Sequence, residues 1–218
     1  MALFRTVSWH EPPMLVEGET VLLRLPQMAD FAAWSALREQ SRDFLTPWEP
    51  TWPPYDLTRG SFRRRMRRYA RDVREDAAYP FLVIRRADRA LLGGVSLSNI
   101  RRGVTQTASL GYWMGAPYAG KGYMGAAVRT LLPFAHGTLG LRRIEAACLP
   151  GNAPSMRLLE GSGFRREGYG RQYLCINGTW QDHVLFARLA GDPIARAEGF
   201  ETASLVPFKS ADELSGNV

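Results

Sequence analysis

Residues 111–127 read GYWMGAPYAGKGYMGAA. The opening residues complete a strand-like run that starts at Ser109. Gly115, Gly120 and Gly122 occupy a loop, and Tyr123, Ala127, Leu131 and Phe134 then recur at helical spacing. A strand that passes through a glycine loop into a helix lets backbone approach a bound group closely. The unpaired N–H groups of the first helical turn add partial positive charge, which suits a phosphate or pyrophosphate. The same glycines would equally serve a plain turn. The loop is no Walker A motif, because Lys121 stands between the glycines and no Gly-Lys-Ser/Thr follows.

Upstream, TVLLRL (20–25) predicts a strand, and Phe31, Trp34 and Leu37 in ADFAAWSALREQ (29–40) predict a short amphipathic helix. The prolines of FLTPWEPTWPP (44–54) predict a shaped loop without helix. Asp56 is read as the cap of an arginine-rich helix with a seam of Phe62, Met66, Tyr69 and Val73. YPFLVIRR (79–86), LLGGVSLSNI (91–100) and TASLGYWMG (107–115) read as an antiparallel meander. Downstream of the helix from Tyr123, which Pro133 should bend near its end, RRIEAACL (142–149) is a strand. Asn152 caps a helix with Pro154 in its first turn, and Asn177-Gly178 joins a final hairpin. The order gives an α/β protein: one mixed, mostly antiparallel sheet with helices on its faces.

A chain of 218 residues, 45% hydrophobic and 22% charged, is sized for one soluble domain, read here as residues 18–190 between extensions at 1–17 and 191–218. No apolar run approaches the roughly 18 residues of a spanning helix and no signal peptide is legible, so the expectation is a cytoplasmic protein with no membrane partner. Cys148 and Cys175 form no disulfide framework, and His10, His136 and His183 are too scattered for a metal. The net charge of +7 favours anionic partners, either nucleic acid or a phosphate-bearing cofactor.

The glycine loop together with NAPSMRLLEGSGF (152–164) resembles the two signature motifs of the GNAT superfamily of acyl-CoA-dependent N-acetyltransferases. Ala119 to Met124 match its Gln/Arg-x-x-Gly-x-Gly/Ala loop with Gly122 at the central glycine, and depart from it at Ala119 and Met124. FLTPWEP (44–50), ASLGYWMG (108–115), NAPSMRLLEGSGF and YLCINGTWQDHVLFA (173–187) are similar to the ribosomal-protein-alanine N-acetyltransferase (Rim) group. The resemblance spans about residues 18 to 190. It implies the GNAT fold, with the strands Ser109–Gly115 and Ile144–Leu149 splayed apart around acetyl-CoA. It implies cofactor contacts from Trp113, Met114, Gly115, Ala119, Gly120, Lys121, Gly122, Tyr123, Met124, Gly125, Asn152 and Ser155. The acceptor amine attacks the acetyl carbonyl directly, a backbone N–H near Met114 or Gly115 stabilises the oxyanion, and no covalent enzyme intermediate is needed.

Glu49 and Glu145 are the candidate bases, with a solvated loop acid and an outward edge charge as their respective alternatives. Many relatives protonate the departing thiolate with a tyrosine at the position matched here by Leu159, so Ser155 is the replacement candidate; its alternative is helix capping. Asn152 serves either as cap or as a contact to the cofactor arm. The acceptor site is expected to draw on Trp48, Glu49, Tyr173 and Asp182, and packing is the alternative for the aromatic residues of the hairpin, Tyr173 and Trp180. A ribosomal-protein N-terminus is the implied acceptor. A polyamine, amino acid or aminoglycoside is the alternative, since the loop offers only Glu49 and Asp56 to hold a polycation. FRRRMRRYARDVRE (62–75) raises nucleic-acid binding, against a solvated helix face with Arg71 and Arg74 near Glu75 and Asp76. A GNAT-like fold that binds acyl-CoA without catalysis is the remaining alternative.

Overall fold

The computed structural model describes residues 14–193. Eight strands form one sheet in the order β1 (Leu15–Glu17), β2 (Val21–Arg24), β3 (Tyr79–Arg85), β4 (Leu91–Arg101), β5 (Thr107–Met114), β6 (Arg143–Cys148), β8 (Thr179–Leu189), β7 (Arg165–Ile176). Neighbours are antiparallel except β5 and β6, whose parallel pairing requires the crossover made by α4 (Tyr123–Pro133).

Alternation along the strands divides the core between the two faces. Val21, Leu23, Phe81, Val83 and Leu110 join Ala127, Val128 and Leu131 of α4 and Leu159 of α5 (Ala153–Gly161) on one side. Leu22, Leu82 and Ile84 meet Trp34 of α1 (Phe31–Gln40) and Phe62 of α3 (Arg59–Arg74) on the other. Phe62 is almost fully buried, with ring centroids 4.9 Å from Trp34 and 5.7 Å from Phe31.

Four details differ from the sequence reading. Helix enters the proline segment, as α2 (Arg42–Leu45) and a 3-10 turn at Thr46–Trp48, because Pro47 sits in the first turn where its missing N–H breaks no bond. The cap of α3 is Thr58, which accepts from Ser61 N at 3.3 Å, whereas Asp56 binds Arg65 at 2.8 Å. The sheet takes in β1, from the stretch expected as an N-terminal extension. Gly191–Pro193 are tied to the domain, since buried Arg188 donates to the carbonyls of Asp192 (3.2 Å) and Pro193 (3.3 Å). The rest of the expected tail, and residues 1–13, lie outside the described residues. Beyond Pro133 the chain continues in a π turn, Phe134–Thr138. Among the described residues no helix is long and apolar enough to cross a membrane.

Candidate active site

The parallel register between β5 and β6 covers Thr107–Arg143, Ala108–Ile144 and Ser109–Glu145, and then stops. Beyond it β5 stays paired with β4 and β6 with β8, so the two strands diverge and leave facing backbone edges without a ladder partner. Gly115 N donates to Leu92 O at 2.8 Å. Successive N–H groups of a strand leave by opposite edges, so the Met114 N–H faces the gap. Gly115 N is thus committed to β4, whereas the Met114 N–H is open to the gap.

The glycine loop leads out of the same gap. Gly120 and Gly122 are left-handed, at φ +72° and +80°, where a side chain is strained. No described atom lies within 4 Å of a Cβ built at either position. Gly122 caps α4 without a side-chain bond, and the first intrahelical bond runs from Ala126 N to Gly122 O at 3.0 Å. The N–H groups of Gly122, Tyr123, Met124 and Gly125 therefore precede the helical ladder and fit an anion. Ala119 ends the preceding 3-10 turn and Lys121 is exposed beside the loop. The Met124 side chain is buried in the core, and the Tyr123 hydroxyl lies 3.5 Å from Arg85 Nη1, so these two offer the ligand backbone only. Open edges, positive-φ glycines and unpaired N–H groups together fit an extended amide arm ending in a pyrophosphate.

On the α5 face of β5, Tyr112 Oη lies 2.6 Å from Ser155 Oγ. Asn152 Oδ1 accepts from Ser155 N at 3.1 Å. Asn152 is thus the cap of α5, and the Ser155 hydroxyl is spent on Tyr112 and not on capping. Burial pushes Tyr112 up to about 12, against the opposing effect of the Ser155 bond, so the phenol stays protonated and either hydroxyl can donate in this pair. Burial likewise pushes the Cys148 thiol up, with Ser155 acting the other way. Leu159 is buried in the core. Sequence reasoning missed Tyr112. The signal was the alternation along β5, which puts Tyr112 on the face of Leu110 and α5, opposite Trp113.

On that opposite face, α1, α3 and β3–β5 enclose a cavity of about 270 Å³ lined in part by Arg38, Glu49, Arg65, Ser96 and Trp113. Arg38 grips Glu49 through two bonds of 2.8 and 2.6 Å, and Trp52 Nε1 donates to the same carboxylate at 2.7 Å. The guanidinium lies 4.0 Å from the Trp52 ring centroid and 4.9 Å from that of Trp113. Trp113 therefore belongs to this cavity by its side chain. The proline segment is pinned to the final hairpin, Asn177 N donating to Glu49 O at 2.9 Å. Ala116 N donates to buried Ser41 Oγ at 2.9 Å, tying the end of α1 to the start of the glycine loop.

The other expected residues are placed elsewhere. Glu145 sits on the last rung of the β5–β6 pair, where the gap begins, with its carboxylate bonded to Arg101 (3.0 Å) and Arg143 (2.9 Å). Asp182 accepts from Tyr169 Oη and Gln172 N, both at 2.8 Å, holding an irregularity in β7 where Gln172 has φ +44°. Tyr173 is exposed and lies 5.8 Å from His183, and Trp48 is exposed. None of Trp48, Tyr173 and Asp182 is among the described residues lining the cavity. On α3, Arg68 and Arg71 lie 3.9 and 3.5 Å from Asp72; Asp76, expected to meet this helix, pairs with Arg102 instead.

A sheet that opens between a parallel strand pair beside a glycine-capped helix defines an acyl-CoA N-acyltransferase fold. Residues 20–165 match the acetyltransferase (GNAT) domain, and the chain belongs to that family of N-acetyltransferases. The chain is 36% identical over 178 residues to the probable N-acetyltransferase YjcK of Bacillus subtilis, covering 82% of this chain and 98% of the relative. The ribosomal-protein-S5-alanine acetyltransferase of Vibrio fischeri superposes with a TM-score of 0.76 at 31% identity, over 82% of this chain and 98% of its own. Mycobacterium smegmatis RimJ, solved in complex with CoA-disulfide, gives 0.75 at 31% identity, over 82% and 85%.

Proposed function

We propose that the protein moves the acetyl group of acetyl-CoA directly onto the N-terminal α-amine of a protein, in the manner of the ribosomal-protein-alanine enzymes it resembles. The observation that carries this reading is the opening of the sheet after Ser109 and Glu145, with a cavity on one face of β5 and a hydroxyl pair on the other. Acetyl-CoA, when bound, supplies an acetyl thioester whose thiolate leaving group has a pKa of about 8.5.

In this reading the N–H groups from Gly120 to Gly125 hold the pyrophosphate, and the β5 edge holds the arm. The Met114 N–H stabilises the oxyanion, and Asn152 fixes the start of α5 so that Ser155 meets the departing sulfur. Ser155 donates to that sulfur while Tyr112 donates to Ser155, so a buried neutral phenol supports the hydroxyl in its donor role. Glu49, whose carboxylate already accepts three bonds, orients the acceptor amine. An α-amine of pKa about 8 is about one-tenth neutral at pH 7, so water suffices to take its proton. Beside the cavity Arg38 is paired with Glu49 and Arg65 with Asp56, so no carboxylate is left in excess, and this balance supports a peptide amine over a polyamine.

Acetyl-CoA turnover followed by free-thiol release, over N-terminal peptides and small amines, tests the reading. Peptides with a free α-amine are the expected substrates. Turnover confined to polyamines or aminoglycosides would overturn it.

A further inference from the structure

Arg38 is 7% exposed, and its guanidinium is clamped between two indoles and one carboxylate. Glu49 engages the end edge of the group, through Nη1 and Nη2. Among the described residues none accepts from Arg38 Nε, although that nitrogen is buried. A buried charged donor left without a partner costs free energy and calls for an explanation, and of the buried arginine Nε atoms without an acceptor among the described residues, that of Arg38 belongs to a residue lining the cavity. The free side edge, Nε–H with the second Nη2 hydrogen, forms a fork that matches a single oxygen or a carboxylate.

Building on the acetyltransferase reading, we infer that Arg38 determines specificity by donating this free edge to the carbonyl oxygen next to the acceptor's amine. Glu49 takes a hydrogen of that amine with its remaining lone pair. The pair then reads the unit amine–carbon–carbonyl, two adjacent polar groups matched by two adjacent side chains locked by Trp52 and Trp113. An amine without a carbonyl leaves Nε unsatisfied and is selected against. A site built to hydrogen-bond one substrate group discriminates strongly against analogues that lack it.

The test compares kcat/KM for L-alaninamide, an alanine-initiated peptide, free L-alanine and isopropylamine, in the wild type and in Arg38→Lys, each assayed at its own acceptor's neutral-amine concentration. Lysine keeps a charge for Glu49 and removes the Nε edge. The wild type should favour alaninamide and the peptide over isopropylamine by about 10- to 100-fold, the size of one hydrogen bond to a charged group. Arg38→Lys should lower the first two by more than it lowers isopropylamine, so that the ratio falls toward one. Preference for free alanine over the peptide would assign the edge to a carboxylate and overturn the peptide commitment. Equal rates for alaninamide and isopropylamine in the wild type would overturn the inference whether or not the variant folds. Acetyl-CoA binding with no turnover on any of the four would sink the acetyltransferase reading itself, and this inference with it.

Discussion

Tyr112 on β5 and Ser155 on α5 bring their hydroxyl oxygens within 2.6 Å of each other across the face of the opened sheet. Leu159, which the resemblance matches to the tyrosine many relatives use, is buried in the core. A phenol from the neighbouring strand reaches the serine, and in the proposed mechanism Ser155 meets the sulfur while Tyr112 orients it.

Ser155→Ala should lower kcat by about 100-fold while acetyl-CoA affinity holds. Tyr112→Phe should give a smaller loss of the same kind, since Ser155 keeps its hydroxyl but loses its orientation. Asn152→Ala, by contrast, removes the cap of α5 and should cost about 1 kcal/mol of stability. Single-turnover rates and melting curves on the same preparations separate these effects. A Ser155→Ala variant that turns over at full rate would remove the serine from the mechanism.

Gly122→Val should abolish measurable acetyl-CoA binding in a protein that still folds. A valine at φ +80° is strained by more than the roughly 1–2 kcal/mol of an ordinary residue, and its side chain projects into the space open beside the loop. Isothermal titration checks this, and unchanged affinity would move the pyrophosphate elsewhere.

The stability contributed by two buried tyrosines should be complete below about pH 10 and be lost between about pH 10 and 12. Burial pushes Tyr112 and Tyr79 up to about 12, and Tyr79 also donates to Asp76. A phenol raised above its unfolded value of about 10 stabilises the fold fully below that value. That contribution is lost as pH rises through the folded one. Melting curves against pH, with tyrosinate absorbance, should show Tyr112→Phe with a shallower alkaline slope than the wild type.

Most of the sheet was legible because its strands carry apolar runs bounded by turn residues, and because Asn177-Gly178 fixes the last hairpin. The glycine loop was legible for a comparable reason: left-handed backbone favours glycine, so Gly120 and Gly122 stand out. What pattern could not supply was partner choice. Glu49 reads as a free loop acid until Arg38, eleven positions away on α1, is seen to grip it. Tyr112 reads as a strand aromatic until α5 delivers Ser155 from 43 positions downstream. Asp182 reads as a substrate group until it is seen to accept from Tyr169 and Gln172 at an irregularity of its own hairpin. Prolines misled at Thr46–Trp48 because the first turn of a helix does not use their missing donor.

The domain's C-terminal limit is set by Arg188. Truncation after Pro193 should leave folding and acetyl-CoA affinity intact. Truncation after Ala190 removes the Asp192 and Pro193 carbonyls from a buried guanidinium and should cost about 1–3 kcal/mol. Equal melting temperatures for the two truncated proteins would contradict this boundary.

The central claim is direct transfer within the gap between β5 and β6, without an acetylated enzyme. Cys148, buried at the end of β6 beside Ser155, is the nucleophile that a two-step route would use. Rapid quench and intact-mass spectrometry, after mixing enzyme with acetyl-CoA and an alanine-initiated peptide, measure both products at once. The account predicts one acetyl group on the peptide α-amine and none on the enzyme at any time, in the wild type and in Cys148→Ala alike. An acetylated enzyme that forms before the product, and vanishes with Cys148→Ala, would contradict it.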